Sequence, residues 1–457
     1  MLQLLNIIGD IVWDGVFLPC VLVGGGLLTA LCGGIQLRRL PLVLKKTGGQ
    51  FFVRRRDDPD GISPVQAACT ALASTVGTGN IVGTAQAISM GGPGAVFWMW
   101  AAALLGMVIK YAEVCLAVRY RCKGSDGELT GGPMYYLELG LGKSFRPLAV
   151  MYALLAALAA FGIGNMSQLN SAADAVEHAA VLLLPGTDPS RLRLIFGLLA
   201  AVLTAAVLLG GAKRVGRVAE TLVPVMSIGF ILLSSAVMVC HFQALGQSFI
   251  LIFRSAFTPS AALGGAVGIG ARETIRWGLR RSAFSNEAGL GSAAIAHAPA
   301  KANSPVEQGF WGIFEVFADT IVICSVTAIT ILCSGVGIDW GVPAGPELLA
   351  NAYMTVFSPG LTAVFMAFSM TLFAFSSVLG WAVLGKRCVQ YIFPRSRGIL
   401  YQLLFSAAAV VGCVSKTELV WAVSDVLNAL MAIPNFTALF LLSGEVRQET
   451  RAYFSKY

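Results

Sequence analysis

Long apolar runs separated by short basic segments fill all 457 residues of the chain. A helix needs roughly 20 predominantly apolar residues to cross a bilayer, and eleven stretches come near that length. They lie at about 14–36, 64–90, 93–121, 148–178, 190–210, 215–241, 262–300, 305–334, 359–391, 398–414 and 417–443. The pattern predicts an all-α membrane protein with eleven transmembrane helices. Two of the runs are broken by polar and glycine residues. One break is Ser74-Thr75-Val76-Gly77-Thr78-Gly79-Asn80, and the other is Phe284-Ser285-Asn286-Glu287-Ala288-Gly289. Irregular backbone survives at membrane depth only where protein or a watery cavity satisfies it.

The breaks also suggest a repeat. With the first run set aside, ten remain in two sets of five, each opening on an interrupted helix. Five is odd, so the two sets must insert with opposite orientation, as in secondary transporters whose sites form where paired broken helices meet. The expected organisation is an extra N-terminal helix and basic loop over 1–60, repeats over 61–241 and 262–444, and a tail over 445–457.

Composition narrows the class. Hydrophobic residues make up 56% and charged residues 12%, against about 25% charged in soluble domains. The net charge of +8 does not point to nucleic acid, because the basic residues sit in short segments between apolar runs. Arg38, Arg39, Lys45, Lys46, Arg54, Arg55 and Arg56 fall on one face, joined by Arg119, Arg121, Lys123, Lys143, Arg146, Lys213, Arg214, Arg217, Lys301, Lys386, Arg387, Arg395, Arg397, Arg447, Arg451 and Lys456. The other face keeps Arg191, Arg193, Arg254 and Lys416 in its loops. By the positive-inside rule the N-terminus is outside and the C-terminus cytoplasmic. Met1 to Asn6 lack the basic start of a cleaved signal peptide. Arg272, Arg276 and Arg280 form a stripe in the outer half of the seventh run, expected to be a solvated face of an extracellular half-helix rather than a direct substrate contact. The ten cysteines stand singly, without metal-ligand spacing. Three scattered histidines, no nucleophile elbow and no phosphate-cradling loop argue against an enzyme or a pump.

Chemistry concentrates at the breaks. A helix ending near Val76 aims carbonyls with partial negative charge at the cavity, suited to sodium. The helix restarting at Thr78–Asn80 aims free amides there, suited to a carboxylate. Gly77 and Gly79 let the backbone leave the helix and a ligand approach it, or, with Gly83, serve only close helix packing. In the second break, carbonyls at Phe284 and Ser285 suit an ammonium group, and Asn286 is a neutral oxygen ligand. Glu287 is functional or a structural carboxylate. Ser376 and Ser377 offer hard oxygens for sodium or bond back to their own helix. Trp381 walls a pocket or packs. Asn165, Gln168 and Asn170 line the cavity or tie helices together.

Several of these segments resemble the alanine or glycine:cation symporter family. They are Gly77-Thr78-Gly79-Asn80-Ile81, Gly91-Gly92-Pro93-Gly94-Ala95-Val96-Phe97-Trp98-Met99-Trp100, Gly131-Gly132-Pro133-Met134-Tyr135-Tyr136, and Phe284-Ser285-Asn286-Glu287-Ala288-Gly289-Leu290-Gly291-Ser292. The likeness runs from about Gly61 to Trp381. It implies a LeuT-type fold of five-plus-five inverted repeats with one extra N-terminal helix. It also implies sodium-coupled uptake of alanine or glycine through a bacterial or archaeal plasma membrane, with no cofactor beyond the co-transported ion. By this resemblance Ala73, Val76, Ser376 and Ser377 hold sodium. Thr78 and Gly79 take the carboxylate, while Phe284, Ser285, Asn286, Gly289, Gln168 and Trp381 line the substrate. Asn80 is the candidate ligand of a second sodium. The alternatives are a proton-coupled transporter using Glu287, or a channel or receptor.

Overall fold

A computed structural model describes residues 2–52, 62–124, 127–258, 269–395, 398–415 and 417–456. Arg54, Arg55, Arg56, Gly61, Arg397 and Lys416 lie outside the described residues, as does the start of the expected second repeat. The protein is almost entirely helical, and its one sheet among the described residues is a two-stranded ribbon pairing Cys122–Lys123 with Leu129–Thr130.

Among the described residues, eight helices are long and apolar enough to cross a membrane: α1 (Ile7–Leu31), α4 (Ala95–Arg119), α5 (Lys143–Leu183), α6 (Pro189–Leu208), α7 (Gly211–Cys240), α11 (Pro305–Cys333), α13 (Pro359–Ile392) and the last, whose apolar part is Val420–Leu441. That last helix, α15, runs from Thr417 to Leu441. The shorter apolar helix α14 covers Ile399–Val414. Two pairs of half-helices complete the bundle. Helices α2 (Pro64–Thr75) and α3 (Gly79–Gly91) flank the first break; α9 (Ala271–Asn286) and α10 (Ser292–His297) flank the second. The start of α2 is written locally: Ser63 and Gln66 form a reciprocal capping box, with Pro64 in the first turn.

Helix α4 lies against α9 and α11, while α5 lies against α13 and α15, and α2 meets both α7 and α13. Close approach depends on small residues. A β-carbon on Gly380 would sit 2.7 Å from the Ser74 nitrogen, so α13 runs directly over the end of α2. The loops sort onto two faces in the alternation expected from the basic residues. On one, Ile62 bridges to Ala300, Arg121 donates to the Ala300 carbonyl at 2.5 Å, and Lys46 pairs with Glu307 at 3.0 Å. The final helix α16 (Ser443–Phe454) joins this face through Glu445 and Arg119, 2.8 Å apart. On the other face, Trp98 donates to the Ala256 carbonyl at 3.1 Å and Gly341 to that of Ser89 at 2.9 Å.

Three expectations change. The first helical segment starts at Leu2, well before residue 14, and ends at Gly33 and Gly34, both at φ +67°. Asp10 and Asp14 lie within this helical segment, paired with arginines from α9. Residues expected as outer loops form helices α8 (Phe242–Phe257) and α12 (Glu347–Met354). Finally, the arginine stripe is not a solvated face. Arg276 binds Asp14 at 2.6 Å and Asp10 at 2.9 Å, while Arg280, 9% exposed, binds Asp10 at 2.7 Å and Asp425 at 3.1 Å. A guanidinium leaving water at membrane depth needs such partners, and three acids were available on α1 and α15. Arg272 alone of the three is exposed.

Candidate functional site

The second apolar run is broken where the sequence placed its break. Helix α2 ends at Thr75, Val76 turns to an extended conformation (ψ 94°), and α3 begins at Gly79. The exposed backbone groups are partly claimed by side chains. The Gly77 amide donates to Asn80 Oδ1 at 2.9 Å, and Gln168 Oε1 accepts from the Thr78 amide at 3.0 Å and its hydroxyl at 2.8 Å. A carboxylate arriving at Thr78 therefore has to displace the Gln168 carbonyl. The Gly79 amide has no partner among the described residues.

Helix α13 supplies the two serines beside the carbonyl end of α2. Ser376 Oγ donates to the Phe373 carbonyl at 2.8 Å and lies 3.5 Å from the Val76 oxygen. Ser377 Oγ is buried with no hydrogen-bond partner among the described residues, and a β-carbon on Gly77 would collide with it. Ala73 is wholly buried one turn earlier. Two hydroxyls thus stand at a helix C-terminus whose carbonyls carry partial negative charge. This is an all-oxygen, uncharged setting that fits a monovalent cation.

The second break touches the first. Asn80 Nδ2 donates to Ser285 Oγ at 2.9 Å, and Gly79 faces the Phe284 ring, its ideal β-carbon 3.6 Å away. Phe284 lies between the rings of Trp13 (6.3 Å) and Trp421 (5.6 Å), closing one end of the site. Asn286 is committed internally: its Nδ2 donates to Ser282 and Thr320 hydroxyls, and its Oδ1 accepts from the Ala288 amide. Glu287 has φ +56°, the one described non-glycine residue with positive φ, a conformation costing on the order of 1–3 kcal/mol. Its carboxylate accepts from Trp381 Nε1 at 3.0 Å and Ser292 Oγ at 2.6 Å. No arginine reaches it among its described contacts, and Trp381 acts as a tie from α13 to the break. Gly289, at φ +95°, donates its amide to Glu113 Oε1 at 3.0 Å. Asn165 and Asn170 tie helices together: they donate to the carbonyls of Phe405 (2.5 Å) and Gly412 (2.8 Å) on α14.

Several buried charged residues escaped the sequence reading. Asp319 is fully buried and bridges both breaks, accepting from Asn80 Nδ2 at 2.7 Å and Ser285 Oγ at 2.9 Å. Lys110, also 0% exposed, donates to the Asn286 carbonyl at 2.6 Å and faces Glu315 at 3.5 Å. Its ammonium caps the Asn286 carbonyl at the end of α9, next to the Phe284 and Ser285 carbonyls where the sequence suggested a substrate ammonium. Glu315 in turn contacts His297, and Glu113 receives the Gly289 and Gly291 amides. A signal existed: lone ionisable residues inside apolar runs are functional candidates. The runs at 93–121 and 305–334 read as unbroken, which drew attention elsewhere. Asp319 and Thr320 also sit in a π-helical turn, Phe317–Cys324, a distortion common at functional sites.

A cleft of about 940 Å³ leads to the first break from the face that carries Ile62 and Ala300. Gln66, Leu72 and Val76 line one wall, Glu220 and Pro224 of α7 another, and Phe317 and Val322 of α11 a third. On the opposite face the Arg276 and Arg280 ion pairs, with Trp13, Phe284 and Trp421, close the approach.

The profile of the sodium:alanine symporter family matches residues 1–457. The chain belongs to that family. It is similar to the sodium/alanine symporter AgcS of Methanococcus maripaludis, with 40% identity over 99% of this chain and 97% of the relative. It is also 34% identical to the probable sodium/glutamine symporter GlnT of Bacillus subtilis, over 99% of this chain and 90% of that one. A solved structure of MhsT in complex with L-phenylalanine superposes with a TM-score of 0.62 at 15% identity. It covers 84% of this chain and 90% of that one, so it bears on the fold alone. As a member of the sodium:alanine symporter family, the protein is a multi-pass membrane transporter and not an enzyme. It carries out sodium-coupled amino-acid symport.

Proposed function

We propose that the chain uses an inward sodium gradient to accumulate alanine or glycine across the plasma membrane of a bacterial or archaeal cell. The architecture in this reading has eleven transmembrane helices: the eight long ones, α14 and the two interrupted pairs. They form an extra N-terminal helix and two inverted repeats of five. The observation that carries the site is the direct junction of the two breaks through Asn80, Ser285 and Asp319. Sodium is held by the backbone oxygens of Ala73 and Val76 with the hydroxyls of Ser376 and Ser377, an assignment supported by the unpartnered Ser377 Oγ. The Thr78 and Gly79 amides take the carboxylate once Gln168 yields. Asn80, Phe284, Ser285, Asn286, Gly289 and Trp381 form and brace the rest of the pocket.

With the N-terminus outside, the cleft opens to the cytoplasm and the arginine clasp seals the outside, which is an inward-facing arrangement. Rocking α2, α3, α4, α9, α10 and α11 against α5, α13 and α14 exposes the site to each side in turn. Two hydroxyls and two carbonyls favour sodium over a proton, because none of them titrates near neutral pH. The purified protein in liposomes is expected to accumulate labelled alanine only under an inward sodium gradient. Uptake that survives collapse of that gradient, or that a pH gradient drives in sodium-free buffer, overturns sodium coupling. Thr78→Ile and Asn286→Leu are expected to abolish uptake without loss of folded protein, and normal uptake in both removes the site assignment.

A further inference from the structure

One buried polar side chain near the breaks has unspent hydrogen-bonding capacity at both ends. Asn428 on α15 is 0% exposed, yet neither its Oδ1 nor its Nδ2 has a partner among the described residues. Each buried unsatisfied group costs about 1–3 kcal/mol, and native proteins keep few of them without use.

Register places Asn428 at the second break. Residues seven apart on a helix share one stripe, which aligns Trp421, Asn428 and Asn435. The Trp421 ring lies 5.6 Å from that of Phe284, where the break starts. Asn435 Nδ2 donates at 2.9 Å to the carbonyl of Gly289, where the break finishes. Asn428 is bracketed by these two contacts and lies level with the residues between them. One turn away, Ser424 packs against Gly162, its Oγ 2.8 Å from an ideal β-carbon there. The same stripe of α15 therefore borders the turn of α5 that leads to Gln168. The other amides around the breaks are spent: Asn80 on Ser285 and Asp319, Asn286 on Ser282, Thr320 and Ala288, Gln168 on Thr78 and Ile163.

We propose that Asn428 contacts the transported amino acid and reads its side chain for a hydrogen-bonding group. This rests on the paired breaks being the substrate site. With the carboxylate at the first break and the ammonium at the carbonyls of Phe284 and Ser285, the side chain is the part left to face α15. A carboxamide offers one acceptor oxygen and two N–H donors. It pairs with a hydroxyl or another carboxamide and leaves a methyl group unanswered. A site that hydrogen-bonds a substrate hydroxyl discriminates strongly against an isostere without one. Alanine is small enough to enter without that bond. Serine gains it, and 2-aminobutyrate, of the same size, does not.

The test is competition against labelled alanine uptake in proteoliposomes, comparing L-serine with L-2-aminobutyrate. The wild-type protein is expected to favour serine by about tenfold or more, and Asn428→Leu to bring the ratio near unity. A ratio that is unchanged by the substitution overturns the inference. Melting temperature gives an independent reading. Removing an unpaired buried amide is expected to raise it in Asn428→Leu, and a clear fall assigns Asn428 a structural role and overturns the inference. Asn428→Ala gives a second reading of the same ratio. Failure of the site reading itself is distinguishable, because Thr78→Ile would then leave alanine uptake intact whatever Asn428 does.

Discussion

Gly77 and Glu287 mark the two breaks, and each is held for a different physical reason. Gly77 has no room for a side chain, since any β-carbon meets Ser377 Oγ and Gln168 Oε1. Gly77→Ala is expected to destabilise the protein by about 1–3 kcal/mol through overpacking and to cut uptake more than tenfold. Gly26→Ala is the control: it sits mid-helix with nothing within 4 Å of its β-carbon. There the expected change is a slight gain of about 0.5–1 kcal/mol from helix propensity. Glu287 tolerates its left-handed backbone because Trp381 and Ser292 hold the carboxylate. Trp381→Phe strips one oxygen of its donor, at a cost of about 1–3 kcal/mol. Glu287→Gln should cost less in the Trp381→Phe background than alone, a coupling that a double-mutant cycle on thermal stability measures. Strict additivity would mean that the 3.0 Å contact is energetically idle.

Among the elements, the N-terminal helix has more to do than its position outside the repeats suggests. Asp10 and Asp14 on α1 share Arg276 and Arg280 on α9 with Asp425 on α15, and Trp13 lies over both Arg280 and Phe284. Opening that face requires α9 to leave these acids. Arg280 is nearly buried while Asp10 is half exposed, so its replacement unpairs Asp425 more severely than Asp10. In the proposed orientation that face is outside, and Arg280→Ala is expected to loosen its closure. A cysteine at Ala288, in a background where the exposed Cys240 is serine, should then react several-fold faster with an impermeant thiol reagent added outside. An unchanged rate would make the clasp a static packing feature. The same arginines show why the solvated-face expectation failed. Their helical stripe is visible in sequence, but Asp10, Asp14 and Asp425, which bury them, lie more than 100 residues away.

For the molecule as a whole, coupling sets a thermodynamic ceiling. A tenfold ratio is worth about 1.4 kcal/mol, so each co-transported sodium moving down a tenfold gradient supports roughly tenfold accumulation of substrate, before any membrane potential is counted. Proteoliposomes with a tenfold sodium gradient and clamped potential should reach a plateau near tenfold for one ion. A plateau near a hundredfold indicates two ions and gives the cluster at Asn80 and Asp319 a role as a second site. No plateau above unity would exclude coupled transport.

Much of this protein was legible in its sequence because the bilayer imposes simple rules. Apolar length predicts spans, basic residues sort the loops, and glycine with polar residues inside a span exposes a break. The breaks at Ser74 to Asn80 and Phe284 to Gly289 were legible that way. What only the tertiary structure decided is pairing. Gln168 takes the Thr78 amide, Trp381 takes Glu287, Asp319 joins the two breaks, and Lys110 caps α9. A buried polar group must find a partner or pay for its absence, but the sequence does not say which of many distant groups supplies it. Asn428 looks like any other amide in an apolar run, and only the packed bundle leaves it unanswered.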